Sequence, residues 1–367
     1  MDLELSDEQN WLAESVETLL SRHWPAPAAA WETDSLARGR LWSELVEFGA
    51  LTVGDDDGLG AIELCLIARA LGKHLAVAPF IGSAAIRWAA APFADSLPPA
   101  FPALRETDAS VALAHLDAGS SGAEELHGQV DGETVDAHKL AVEQADAAEA
   151  LLVVAAADGE PAVALVSAAA SGVHRHPQPC FDPSIPFAEV VFEDVPADAV
   201  VSGDLGARVL ERLTTIGALL AAAEAVGSAG QLLDDAVSYA GERRQFGHTI
   251  GSNQALRHLL ADLYVRQASS WSTVLYAAAT LDDDAPDAAQ TASIAKAYVA
   301  RAAREVAHGA LQVFGGIAFT AEHTAHRFLR RIVVRERQFG DAAHHEREIG
   351  RALAAAARPL ALAEERA

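Results

Sequence analysis

Apolar positions along this chain fall into three textures, and each predicts a different kind of element. Near the N-terminus, Leu12, Val16, Leu19 and Leu20 recur at helical spacing, with Ser6 as N-cap and Glu8 and Gln9 in the first turn. Trp42, Leu45, Val46 and Phe48 predict a second helix, ended by Gly49. Leu64, Ile67, Ala68 and Leu71 share one face of a third, from Ala61 to about Lys73. Pro79, Phe80 and Ile81 lead into a fourth that reaches Ala90. Between the second and third, GDDDGLG at 54–60 reads as a loop. Around 91–105 the proline-rich PFADSLPPAFPAL breaks the helical pattern. From Ser110 to about Val201 the short runs VALAHL, ALLVVAA, AVALVSA and AEVVFEDV alternate with Gly, Asp and Pro, which predicts strands and turns. After Gly206 the helical spacing returns through Leu210, Leu213, Ile216, Leu220, Val226, Leu233 and Val237, to about Ala240. Further helices are predicted over 252–281, 288–314 and 321–337, and from about Ala342.

These textures predict an α+β fold, mainly α. Residues 1–105 form an N-terminal helical domain, 106–202 a β-domain, and 203–367 a C-terminal helical bundle of long antiparallel helices with short turns. No internal repeat is visible.

Composition narrows the partners. Hydrophobic residues make up 51% of the 367 residues, far from disordered composition. Formal net charge is −25, from 52 acidic and 27 basic residues, which argues against nucleic acid and against anionic membrane surfaces. The two cysteines, Cys65 and Cys180, suggest neither a disulfide framework nor a metal site. MDLELSDEQ carries no signal-peptide pattern. The longest apolar run, around 216–229, is interrupted by Glu224 before it reaches the roughly 18 residues of a membrane span. A cytoplasmic location is the expectation.

Chemistry concentrates in two stretches. Tyr239–Asp262, YAGERRQFGHTIGSNQALRHLLAD, sets Arg243, Arg244, Gln245, Phe246 and Gly247 on a polar turn between two helices. Arginine forks meet phosphate oxygens bidentately, so this turn is a candidate grip for a phosphate-bearing, ring-bearing cofactor. Residues 312–331, QVFGGIAFTAEHTAHRFLRR, carry the pair Gly315–Gly316, where backbone can approach a ligand, with Gln312 one helical turn earlier.

Together these stretches resemble the acyl-CoA dehydrogenase family, whose C-terminal domain carries Y-x3-R-x-QFG-x2-I-x3-Q-x3-H-x-LAD followed by Q-x2-GG-x-G-[FY]-T-x-E-[HY]. ALGKHLAVAPF (70–80) resembles the same family's N-terminal domain. The resemblance implies FAD as cofactor, α,β-dehydrogenation of an acyl-CoA thioester, and an electron-accepting flavoprotein as partner. It also implies that Arg243, Gln245 and Phe246 form the turn that reaches the FAD of a neighbouring subunit. Gln312, Gly315 and Gly316 then lie near the adenine and pyrophosphate end.

The family's proton-abstracting glutamate does not carry over. One family position falls on Phe339, and the other falls on Gly217. Glu211 lies six residues too early on its helix. Asp341, two positions past Phe339, is the candidate catalytic base, with Glu224 as the alternative. Asp341 also reads as the N-cap of the helix that starts at Ala342, and Glu224 as a packing carboxylate paired with an arginine of a neighbouring helix. The β-domain departs too. AHLDAGSSG (114–122) lacks the family's T-E-P, and Lys139-Leu140-Ala141-Val142-Glu143 lacks the aromatic and hydroxyl residues that face the flavin. Ala318 and Ala321 replace a usual Gly and a frequent Trp. These departures resemble one chain of the α2β2 heterotetramers that some actinobacterial members form, often acting on CoA thioesters of steroid side chains or rings. A paralogous subunit that completes the flavin site is the expected partner. The alternatives are a self-sufficient homotetramer with a displaced base, and a catalytically silent scaffold or acyl-CoA-binding subunit without its own FAD.

Overall fold

A computed structural model describes residues 3–24, 35–53, 58–118 and 126–364. Part of the 54–60 loop and residues 119–122 of the AHLDAGSSG stretch lie outside the described residues. The chain opens with helices α1 (Asp7–His23), α2 (Ser35–Glu47), α3 (Ala61–Lys73) and α4 (Phe80–Ala90). Ser6 caps α1 in a reciprocal box with Gln9, which satisfies two otherwise orphaned backbone donors. The proline-rich segment is not plain loop. It forms two 3-10 turns, Ala91–Ser96 and Leu104–Glu106, around the one-turn helix α5 (Ala100–Ala103), because proline is tolerated in the first turn, where its N–H is not needed.

The strands follow: β1 (Val111–Ala114), β2 (Leu116–Asp117), β3 (Gln129–Asp131), β4 (Thr134–Glu143), β5 (Ala150–Ala157), β6 (Glu160–Ser167), β7 (Val173–Gln178), β8 (Phe187–Pro196) and β9 (Ala199–Ser202). They form one sheet in the order β7-β8-β4-β3-β5-β6-β9, with β1 parallel to β5 and β2 antiparallel to β4. Alternation along β5 sorts the side chains. Leu151, Val153 and Ala155 join a core with β4 and β8, while Leu152 and Val154 join the helical core. Both faces are therefore buried, and that is why ALLVVAA reads as a continuous apolar run. β7, VHRHPQ, pairs only with β8 and is largely exposed, so it carries no hydrophobic signal.

Helix α6 (Gly203–Glu242) is the spine, packing against α3, α4, α8 (Ala288–Phe314), α9 (Ala325–Arg337) and β6. It is long and apolar enough to cross a membrane by length and composition, but its apolar stretch is largely buried inside the fold. Its crossing with α3 is set by reciprocal glycines: a Cβ on Gly72 or Gly227 would lie 1.9 Å from the Glu224 or Arg69 carbonyl oxygen, respectively. Between α6 and α7 (Gln254–Asp282) stands a hairpin of β10 (Arg244–Gln245) and β11 (His248–Thr249). α7 starts at Gln254 because Asn253, not Ser252, accepts the Ala255 N–H; the Ser252 hydroxyl donates to the Thr249 carbonyl. α9 starts at Ala325, four residues later than its periodicity suggested, where the His323 ring takes the Ala325 N–H at 3.1 Å. α10 (Ala342–Glu364) closes the described chain.

Candidate functional site

A cleft of about 1190 Å³ opens between the Leu210–Ala218 stretch of α6, the first turns of α8, the α9–α10 junction, and the segment joining β7 to β8. Leu210, Glu211, Thr214 and Thr215 line one wall, Gln290 and Ser293 another, and Gln178–Phe181 with Phe187 a third. The floor is the loop Gln338–Phe339–Gly340–Asp341.

Buried charge holds that floor in place. Glu224 on α6 lies 2.9 Å from Arg331 Nη1 and 2.9 Å from Arg335 Nε, both on α9. Arg331 also pairs with Asp182 at 2.7 Å and donates to the Ala76 carbonyl at 2.9 Å. Arg335 pairs with Glu143 of β4 at 2.6 Å and donates to the Gln338 amide oxygen, while Gln338 Nε2 donates to Glu143 at 2.8 Å. Burial works against both guanidiniums and both of these carboxylates. The ion pairs outweigh it, so Arg331 and Arg335 are raised and Asp182 and Glu143 lowered. Glu224 is thus the packing carboxylate of the second reading, not a free base. From α8, the fully buried Lys296 amine donates to the Arg335 and Glu336 carbonyls at 2.5 and 3.1 Å, ending α9, and burial pushes its pKa down to about 7.

Phe339 is the decisive side chain. Its ring lies directly on Gly217, where an added Cβ would sit 2.4 Å from Phe339 Cε1. The two places that the sequence offered for a proton-abstracting glutamate are therefore in contact, and an aromatic ring fills the space between them. The His115 ring stacks on Phe339, with centroids 5.0 Å apart and planes 6° from parallel. Burial, and then the neighbouring Lys139, push His115 down to about 4, so it stays neutral. Phe339 and His115 line the cleft and also a second cavity of about 30 Å³ behind them.

Asp341 lines the cleft, but its carboxylate is engaged. Oδ1 accepts the His344 N–H at 2.9 Å as the cap of α10, and Arg337 lies 3.6 Å away. That backbone hydrogen bond holds the carboxyl below its ordinary range. His345 sits beside it, with Nε2 3.0 Å from the Phe339 carbonyl and Nδ1 3.2 Å from the Ser293 hydroxyl.

The residues expected to grip a cofactor are gathered elsewhere. Phe246 and Gly247 form the hairpin tip with φ of 52° and 85°, a two-residue turn that suits strand twist. Phe246 is 95% exposed, and Arg243 and Gln245 are exposed beside it. Tyr239 at the end of α6 packs its ring 5.2 Å from Phe314 at the end of α8, which brings the hairpin-bearing end and the Gly315–Gly316 turn to one end of the bundle. Gln312 is exposed there. The cleft lies at the opposite end: the stretch of α6 from Ala218 to Tyr239 spans roughly 30 Å at 1.5 Å per residue. The structure thus unites Arg243, Gln245, Phe246, Gln312, Gly315 and Gly316 with one another and separates them from Asp341.

The residues present fit one end of FAD and not the other. At Gly315 and Gly316 a Cβ would meet nothing within 4 Å, so the backbone stands open to a phosphate, with arginines exposed on the adjacent hairpin. At the ring end, Ala141 offers no aromatic face, and Glu143 is occupied by Arg335 and Gln338. The expectation that Glu224 pairs with an arginine of a neighbouring helix is met twice over, by Arg331 and Arg335, which stand four residues apart on α9, whereas nothing in the sequence singled out His115 or Lys296.

Residues 204–354 match the family model described as acyl-CoA dehydrogenase, C-terminal domain. The chain is 29% identical over 335 residues to acyl-CoA dehydrogenase IpdE2 of Mycolicibacterium smegmatis, covering 89% of this chain and 93% of that protein. It is 38% identical over 169 residues to acyl-CoA dehydrogenase FadE34 of Mycobacterium tuberculosis, covering 46% of this chain and 23% of that protein. Among solved structures, a chain of the ChsE4-ChsE5 complex from Mycobacterium tuberculosis superposes with a TM-score of 0.85 at 25% identity, covering 96% of this chain and 99% of that one. Butyryl-CoA dehydrogenase from Megasphaera elsdenii superposes with a TM-score of 0.84 at 21% identity, covering 96% and 100%.

Proposed function

We propose that this chain, which belongs to the acyl-CoA dehydrogenase family of oxidoreductases, works as one subunit of a two-chain enzyme that dehydrogenates a bulky acyl-CoA thioester. The observation that carries this reading is the Phe339 ring seated on Gly217. A carboxylate must come within hydrogen-bond reach of the substrate α-carbon, and an aromatic ring occupies that corner here. The paralogous partner then supplies the base and the aromatic neighbour of the flavin ring. The bound flavin supplies the hydride acceptor, and its reoxidation falls to an electron-accepting flavoprotein.

In this reading Arg243 pairs with the pyrophosphate of the FAD whose ring lies in the partner, with Gln245 and Phe246 beside it. Gln312, Gly315 and Gly316 bound the adenine and pyrophosphate end. The roughly 30 Å between this grip and the chain's own cleft supports action in trans, since one helix cannot bring both to a single reacting centre. Asp341 holds α10 and the cleft floor. The cleft volume suits a ring-bearing acyl group. The two-chain assembly of the similar ChsE4-ChsE5 complex supports a paralogous partner.

The test is turnover. The purified chain and its complex with a co-expressed paralogue are assayed with acyl-CoA thioesters and a dye acceptor. Activity is expected only in the complex. Dye reduction by the chain alone would overturn the reading, and its loss in Asp341→Ala would then identify the base.

A further inference from the structure

The walls of the large cleft differ in chemistry. The β7–β8 segment and the end of α9 present Pro179, Phe181, Phe187 and Val334, which offer apolar surface. Gln178 on this side is committed, its Oε1 accepting the Ala141 N–H at 2.8 Å. The α6 and α8 walls present Glu211, Thr214, Thr215, Gln290 and Ser293 instead. Two of these are also committed. Thr214 donates its hydroxyl to the Leu210 carbonyl at 3.0 Å, and the Ser293 hydroxyl lies 3.2 Å from His345 Nδ1. Ser270, Ser272 and Thr273 on α7 return their hydroxyls to the preceding turn as Thr214 does. Thr215 departs from that habit. Among the described residues, neither its hydroxyl nor the Gln290 amide has a hydrogen-bond partner, and both residues are half-buried.

We infer that Thr215 and Gln290 are specificity-determining residues that read a neutral oxygen, a hydroxyl or an oxo group, carried on the ring of the acyl group. The inference rests on the reading that this cleft takes a ring-bearing acyl thioester. A plain hydrocarbon ring would strip water from a hydroxyl and an amide and return no hydrogen bond, and leaving such groups unpaired costs more than an average hydrogen bond gains. A ring oxygen replaces that water. Hydroxyl and amide side chains both donate and accept, so an alcohol and a ketone each satisfy them. A carboxylate fits worse, because these two walls carry Glu211 and no basic residue, and like charges would meet. The apolar wall takes the hydrocarbon face of the same ring.

The experiment titrates the full-length chain by calorimetry with CoA thioesters of decalin carboxylic acid, unsubstituted and as a panel of monohydroxy and mono-oxo isomers. Wild type is compared with Thr215→Val and Gln290→Leu, each close in shape to the residue it replaces. At least one oxygenated isomer should bind wild type roughly tenfold tighter than the unsubstituted thioester, the scale of one buried polar group left unpaired. Each variant should lose most of that preference, by weakening the oxygenated isomer while holding the unsubstituted thioester as tightly as wild type or more so. The pantetheine arm of CoA also carries amides and a hydroxyl, and it is common to every probe. Equal weakening of all probes in the variants would assign these side chains to the arm and overturn the inference. A preference that survives both substitutions, or a wild type that binds no oxygenated isomer tighter than the unsubstituted thioester, overturns it too. A wild type that binds none of the thioesters overturns the underlying reading and the inference with it.

Discussion

Replacing Arg331 with methionine tests the buried network at its centre. Arg331 is fully buried and spans Asp182 at 2.7 Å and Glu224 at 2.9 Å, both also buried. Glu224 would keep Arg335 at 2.9 Å, but Asp182 would retain only the hydroxyl and N–H of Ser184, at 2.6 and 3.0 Å. Breaking a buried pair in this way costs about 3–5 kcal/mol, because the remaining charge stays desolvated. That is a large fraction of a typical domain stability of roughly 5–15 kcal/mol. The pH dependence has an opposite sign in the two proteins. In the wild type, burial raises the Asp182 pKa but Arg331 more than offsets it, so the folded value lies below the unfolded one. Its contribution is present above the unfolded value of about 3.9 and is lost as pH falls through the folded one. In Arg331→Met, burial is opposed only by the Ser184 hydrogen bonds, without the guanidinium, and the folded value is expected to rise above the unfolded one. The variant should then gain stability as pH falls from neutral towards about 4. Urea unfolding at neutral and mildly acidic pH measures both, and Arg331→Met combined with Asp182→Asn should recover much of the loss. A loss below about 1 kcal/mol, or parallel pH curves, would refute the argument.

Burial depresses the folded-state pKa of Lys296 to about 7, so between there and its unfolded value the unfolded chain binds the extra proton. Stability should therefore rise with pH across that window, and Lys296→Met, followed by thermal unfolding, should remove that component. Arg243→Ala should weaken FAD retention in the assembled complex by about 1.5–3 kcal/mol, the worth of a charge-assisted hydrogen bond; unchanged flavin dissociation would remove Arg243 from the grip. Asp341→Ala should cost about 0.5–2 kcal/mol of stability as a lost helix cap while leaving the rate of flavin reduction in the complex unchanged.

Much of the helical architecture was legible because helical periodicity survives wherever one face is buried. α3 runs over Ala61–Lys73, as its apolar spacing suggests, and α8 over Ala288–Phe314, following the Asp282–Asp284 and Pro286 break. β5 and β6 were visible as apolar runs because both of their faces are covered. β7 was invisible, since an edge strand of VHRHPQ needs no hydrophobic face. The site was less legible, and for a physical reason. Spacing along the chain located Gly217 and Phe339, but only the fold shows that they touch. Asp341 was open to two readings in the sequence, and the structure engages its carboxylate as a cap. Spacing likewise marked Arg243 and Gly315 as a pair, while their separation from the cleft depends on α6 running unbroken from one end of the bundle to the other.

The central claim is that this chain lends a cofactor grip to a partner and holds no complete flavin site itself. The flavin content of the purified complex tests it most directly, from visible absorbance set against the amount of each chain. The account predicts about one FAD for each pair of dissimilar chains and a colourless chain when it is purified alone, because a flavin ring deprived of its stacking and hydrogen-bond partners is poorly held. One FAD per chain, with this chain yellow by itself, would contradict it.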